Sequence, residues 1–286
     1  MFVIIGFVVV LVAVVVGFSM AGGNLVLLIQ ISEFVTIGGA AIGSLLVASP
    51  LPLIKKMIGS IKGSFGHVGN TKDDYMQMMK SFSDLFLIAQ REGLLAIEKH
   101  IEAPDTSTIL STNTKFIHDT VMKNFFCDTM KVMLAGSVPP HEMEGLMDAE
   151  IETFEKENRP VYEGIGRVGD ALPGLGIVAA VLGIIVTMGS INQGPEVVGH
   201  HVAAALVGTF LGVLLSYGFV GPLAANITHS VEVRAQDLII IKSFILAYAK
   251  GNPPFVAAEI ARRSIFSDER PSFQELEQFL RGKKDK

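Results

Sequence analysis

Residues 171–191 read ALPGLGIVAAVLGIIVTMGSI, and residues 202–223 read VAAALVGTFLGVLLSYGFVGPL. Neither stretch holds an Asp, Glu, Lys, Arg or His. About 20 predominantly apolar residues carry a helix across the hydrocarbon core, so each stretch is long enough to span a bilayer. Two more uncharged blocks precede them, Phe2 to Met20 and Phe34 to Leu53. The first is too long for a signal peptide and lacks both a basic leading region and a small-residue cleavage site, so it reads as a retained span.

Charge settles the topology. All 23 Lys and Arg residues fall in two stretches, Lys55 to Arg167 and Arg234 to Lys286. Basic residues gather on the cytoplasmic side of short membrane loops. The 50–170 region and the C-terminus are therefore expected inside, and four spans return the N-terminus to the same side. The turns at 21–32 and 192–201 face outward. The expected architecture is an all-α integral membrane protein of four parts. These are spans one and two (1–53), a helical cytoplasmic loop (54–170), spans three and four (171–223) and a helical cytoplasmic extension and tail (224–286). No strand-like alternation interrupts this pattern.

The cytoplasmic segments show helical periodicity. Ile54, Ile58, Ile61 and Phe65 recur at helical spacing with lysines between them. That suits either a helix lying on the inner leaflet or one packed on its own loop domain. Asp73 to His100 reads as one amphipathic helix and Thr114 to Met133 as a second. Ser137 is the expected N-cap of a third, whose acids (Glu142, Glu144, Asp148, Glu150, Glu152, Glu155 and Glu157) read as a solvated face. The fourth span continues as a helix to about Lys250 and stops at Gly251, with prolines just after. Short helices follow near 255–263 and 272–281. Cys127 is the single cysteine, which excludes an internal disulfide and a thiolate metal cage.

The spans lack the groups that enzymes and transporters use. There is no GxSxG or HExxH, and His200 and His201 are adjacent rather than one helical turn apart, as expected of a wet outer turn. No cofactor, metal or nucleic acid is expected, and no enzymatic activity. Glu33 stands at the outer entrance of the second span, where a helix N-terminus favours a carboxylate. An ion transporter normally carries an ionisable residue within the membrane. This chain therefore either moves no ions or depends on a partner for the titrating group.

Spans three and four carry matched features. Pro173 and Pro222 lie near their inner ends, each with glycine four residues back (Gly169, Gly218), where the proline ring crowds the carbonyl. Thr187 and Thr209 lie 14 and 13 residues outward of these prolines, roughly 20 Å at 1.5 Å per residue. This spacing predicts a proline pair low and a threonine pair high. Gly208 and Gly212 form a GxxxG, as do Gly39 and Gly43, which permits close helix approach. The plainer reading has the same weight: packing glycines, and threonines bonded to their own backbone.

Residues 169–183, GDALPGLGIVAAVLG, resemble the MotA family of flagellar motor stator subunits. So do 207–222 (VGTFLGVLLSYGFVGP), 91–98 (REGLLAIE) and 146–152 (LMDAEIE). The likeness covers nearly the whole chain in order and spacing. It implies an ion-driven torque generator of the bacterial inner membrane, in which five copies surround a dimer of MotB. That partner would supply a transmembrane aspartate and a peptidoglycan anchor, and the cytoplasmic part would push the rotor protein FliG. The implied ion-pathway residues are Pro173, Pro222, Thr187, Thr209, Ala180 and Tyr217. The implied rotor-facing residues are Arg91, Glu98, Lys99 and Glu150, with Arg91 and Glu98 two turns apart on one helix face. Sodium-type relatives place a threonine where this chain has Ala180. Loss of that hydroxyl favours protons over sodium. The related ExbB/TolQ proteins, which energise outer-membrane processes, are the alternative, with three spans in another arrangement.

Overall fold

Proline and glycine set most of the helix boundaries. The computed structural model describes residues 2–66, 69–136 and 138–282, and among them there is helix and turn but no strand. The α-helices are α1 (Phe2–Met20), α2 (Ile31–Ala48), α3 (Leu51–Gly63), α4 (Lys72–Glu92), α5 (Glu98–Glu102) and α6 (Thr114–His118). They continue with α7 (Thr120–Ala135), α8 (Pro140–Gly189), α9 (Pro195–Leu215), α10 (Gly221–Ala249), α11 (Pro254–Arg262) and α12 (Phe273–Leu280). A π-turn, Ser216–Val220, joins α9 to α10. Four helical segments are long and apolar enough to cross a membrane: Phe2–Met20, Leu25–Ala48, Pro140–Gly189 and Pro195–Ala249.

Several boundaries differ from those expected. The second span begins earlier, because the 3-10 turn Leu25–Leu28 is capped by Asn24, whose side chain accepts from the Val26 N–H. It also ends earlier, at Ala48. Pro50 holds Ser49 in extended backbone, φ −138° and ψ 132°, as proline does to the residue before it. The expected helix from Asp73 to His100 stops at Glu92, where Gly93 takes φ +92°. A 3-10 turn and α5 follow it. The second loop helix divides at Asp119, which accepts from the N–H groups of Val121 and Met122 and so starts α7 afresh. Ser137 lies outside the described residues, and α8 starts at Pro140. The C-terminal stop falls where expected, with Gly251 at φ +88°.

The chain forms two compact units, each assembled from two separate segments: Met1–Val68 with Glu157–Ser230, and Gly69–Lys156 with Val231–Lys286. In the first, α2 buries Ile37 and Ala41 against Leu172, Ala179, Val207 and Leu211. Helix α3 buries Met57 among Val161, Ile165, Leu223, Ala224 and Ile227, while Leu51 and Ile58 on its other side stay exposed. It is therefore a helix packed on its own unit that also keeps an open apolar edge. No residue of α1 is fully buried; Val3 and Phe7 pack against the Met57 cluster, while most of its other apolar side chains are exposed.

The second unit has an aromatic core. Phe82 stacks on Phe126 with centroids 4.1 Å apart, and Phe86 on Tyr248 at 4.0 Å. Phe116 and Phe244 meet Phe82 edge-on. Offset and edge-to-face pairs of this kind add stabilisation beyond area burial. Residues 238–249 and 257–276 of the chain's end complete this core around α4 and α7. The pair Lys72–Glu275 and the capping boxes Thr71/Asp74 and Ser272/Glu275 fix the starts of α4 and α12.

Candidate functional site

Small residues bring α8 and α9 into backbone contact. A methyl group on Gly176 would lie 2.7 Å from the Gly208 carbonyl oxygen and 3.0 Å from Gly212 Cα. One on Gly183 would lie 2.7 Å from Ala205 Cβ, and one on Gly208 would lie 3.1 Å from the Ala180 nitrogen. Glycine is thus required at these crossings. The contacts also fix the antiparallel register: 183 lies opposite 205, 180 opposite 208, and 176 opposite 212. Ser190 Oγ hydrogen-bonds His201 Nδ1 at 2.8 Å on the outer side of them. His200 and His201 therefore belong to α9 rather than to an outer turn.

This register separates the residues that were expected to pair. Thr187 stands level with His201, and Thr209 with Ala179, so the threonines are eight residues, about 12 Å, apart in depth. The contact of Gly169 with Val220 and Gly221 places Pro173 about 8 Å outward of Pro222. The expectation measured each threonine from its own proline, whereas the glycine contacts decide which residues face each other. The buried Thr187 donates to its own Gly183 carbonyl at 2.8 Å, the plainer of its two readings. Ala180 is buried, Thr209 and Pro173 are half-buried, and Pro222 and Tyr217 are exposed.

Pro222 is where the backbone departs from α-helix. Without an N–H it cannot bond the Gly218 carbonyl. The preceding Ser216–Val220 segment widens to a π-turn, and the Gly221 N–H bonds five residues back to Ser216. Such turns are single-turn insertions, frequent at functional sites. Pro173 lies inside α8 with the helix continuous across it.

Glu33 stands where expected along the chain, but its side chain is buried. It lies in the first turn of α2, at the entrance, and it is only 7% exposed. Its Oε2 has no hydrogen-bond partner among the described residues. The same atom sits where a Gly208 side chain would begin, beside Ala179 and Ala180. The chain therefore does carry a buried carboxyl group where its apolar helices α2, α8 and α9 meet. No local signal marks this burial, because the groups that enclose the carboxyl come from α8 and α9.

In the second unit, Arg91 ends α4 and Glu98 begins α5, with the Gly93 break between them. They do not share one helix face, and neither do Glu92 and Lys99. All four are exposed, as is Glu150 on α8. Among the described residues none of these five takes part in an ion pair. Partial burial, then the Asp128 carboxylate, raise the Glu150 carboxyl.

Over 282 residues the chain is 36% identical to the motility protein A of Salmonella typhimurium, covering 99% of this chain and 96% of that one. The chain belongs to the motility protein A (MotA) family. Its residues 4–93 match the family model for the motility protein A N-terminal region, and residues 117–238 that of the MotA/TolQ/ExbB proton channel family. The motility protein A of Escherichia coli is also 36% identical, over 285 residues covering 100% of this chain and 97% of that one. The chemotaxis protein LafT of Vibrio parahaemolyticus is 34% identical, covering 96% and 97%. The MotAB structure of C. jejuni superposes with a TM-score of 0.80 at 21% identity, covering 94% of this chain and 98% of that one. The MotAB stator complex of Bacillus subtilis gives 0.74 at 23%, covering 90% and 92%. MotA proteins are membrane stator and channel proteins rather than enzymes.

Proposed function

We propose that this chain is a stator subunit of a bacterial flagellar motor that converts a proton gradient into rotation. Full-length identity to motility protein A carries this reading. In it, several copies, five by resemblance, surround a MotB dimer in the inner membrane, with both termini and the loop in the cytoplasm. The basic residues, all within 55–167 and 234–286, support that orientation. The MotB aspartate carries the ion past the wall formed by α8 and α9. Pro173, Pro222, Thr187, Thr209, Ala180 and Tyr217 belong to that wall. Ala180 offers no hydroxyl for a sodium ion, which favours protons. Arg91, Glu98, Lys99 and Glu150 lie exposed in the second unit, available to the rotor protein FliG. The Gly93 break sets Arg91 and Glu98 on separate helices, so they would meet the rotor as two points rather than one helical stripe.

The test is complementation. A strain lacking this gene and its MotB neighbour should regain swimming only when both are supplied, and the two products should co-purify. Motor speed should follow external pH and not external sodium. Unchanged swimming in the deletion strain, with outer-membrane uptake lost instead, would overturn the stator reading in favour of an ExbB/TolQ-like role.

A further inference from the structure

The geometry points to Glu33 as a second proton-binding site of the pathway, on this chain itself, at the junction of α2, α8 and α9. This rests on the stator reading, in which the partner's aspartate is the established kind of site. A buried carboxyl group with an unpartnered oxygen is costly unless it is used or neutralised. Intramembrane ionisable groups accordingly mark ion paths. Three features of the structure argue for use rather than accident. Glu33 is in the first turn of α2, yet its Oε2 accepts no backbone N–H there, so it is not a helix cap. The atom is turned into the α8–α9 crossing instead, into the space left by the missing side chain of Gly208. And that crossing is the wall already assigned to the ion path, at the level of Ala180.

The electrostatic surroundings suit a site that gains and loses one proton. On α8 no ionisable group follows Asp170 up to Gly189, and neither α1 nor the turn Leu25–Leu28 has one. On α9 the ionisable groups are Glu196, His200 and His201, all outward of Gly208. His201 lies two turns outward on the same face, about 10 Å away along the axis, and is hydrogen-bonded to Ser190. Among the described residues no cation stands close enough to hold the Glu33 carboxylate permanently charged. Protons reaching the outer ends of α8 and α9 would meet His201 first and Glu33 next.

The experiment uses the full chain co-purified with its MotB partner in lipid nanodiscs. Dicyclohexylcarbodiimide, an apolar reagent for protonated carboxyls, is added and the adduct located by peptide mass spectrometry. An adduct on Glu33 that declines as pH is raised, and is absent in Glu33→Gln, is the expected result. In cells, Glu33→Gln motors should turn several-fold slower and lose their dependence on external pH, with Glu33→Asp keeping both. No adduct on Glu33, together with Glu33→Gln motors of normal speed and pH response, would overturn the inference while leaving the stator reading intact. Wild-type motors that follow sodium rather than pH would overturn the proton reading of the whole path. If Glu33→Gln fails to assemble, the labelling and the Glu33→Asp motors still decide.

Discussion

Single buried groups account for the sharpest expectations. Asp237, only 2% exposed, accepts a 2.7 Å hydrogen bond from Tyr75 Oη in the second unit. Burial pushes its carboxyl up to about 6, against 3.8 for the free group, although the Tyr75 and Asn70 bonds pull the other way. The folded state then binds this proton more tightly than the unfolded state. Stability is lost as pH rises from about 4 to 6, by an amount on the order of 3 kcal/mol, and is not regained above. Asp237→Asn keeps an acceptor for Tyr75 and removes the charge. Its melting temperature in detergent should match or exceed wild type at pH 7.5 and lose that advantage at pH 4. A uniform drop at both pH values would refute this account. Cys127, 4% exposed, has its thiol pushed up to about 11, chiefly by burial. A maleimide followed by mass spectrometry should label it at neutral pH only once the protein unfolds. Neither the Asp237–Tyr75 bond nor the approach of Glu33 to Gly208 was legible in the sequence. Each depends on a partner more than a hundred residues away, and local periodicity carries no information about that.

Helices were the most legible level, and their junctions the least. The apolar blocks, the Gly251 stop and the two tail helices follow directly from composition and turn chemistry. The π-turn does not, because a sequence motif for proline predicts a kink without saying how the chain absorbs it. Pro222→Ala returns an N–H that can bond the Gly218 carbonyl and convert Ser216–Val220 to α-helix. The variant should still co-purify with MotB yet drive no rotation of tethered cells, and normal rotation would count against a role for the turn. The α8–α9 crossing makes a different demand. Gly176→Ala puts a methyl 2.7 Å from the Gly208 carbonyl oxygen. Overpacking of this kind costs about 1–3 kcal/mol. A lowered melting temperature of the purified complex should report it, and Gly145→Ala, which meets open space, should not show it. The four-residue glycine spacing was visible from the outset, but which helix it served, and in what register, required the fold.

At the scale of the whole molecule, torque and ion flow are expected to separate. Reversing Glu98 should abolish rotation while proton conduction through the assembled complex persists, and a charge-reversed FliG should restore part of the rotation. Failure of every rotor charge change to suppress the defect would exclude an electrostatic contact. The uneven distribution of charge did separate an apolar half from a charged half. It did not indicate that the second unit is discontinuous. Residues 69–156 build the first part of its core, and Leu238, Ile241, Phe244, Ala257 and Leu276 complete it. That arrangement matters during synthesis. The loop emerges from the ribosome with the apolar faces of α4 and α7 unmatched. It must wait while two more membrane spans are made and inserted. With about 120 residues to come, at roughly 5–20 residues per second, the interval is about 6–24 s. Throughout it the half-made unit is exposed to proteases and to association with other chains. Quality control of this protein is therefore expected to act on the loop before the last helix exists.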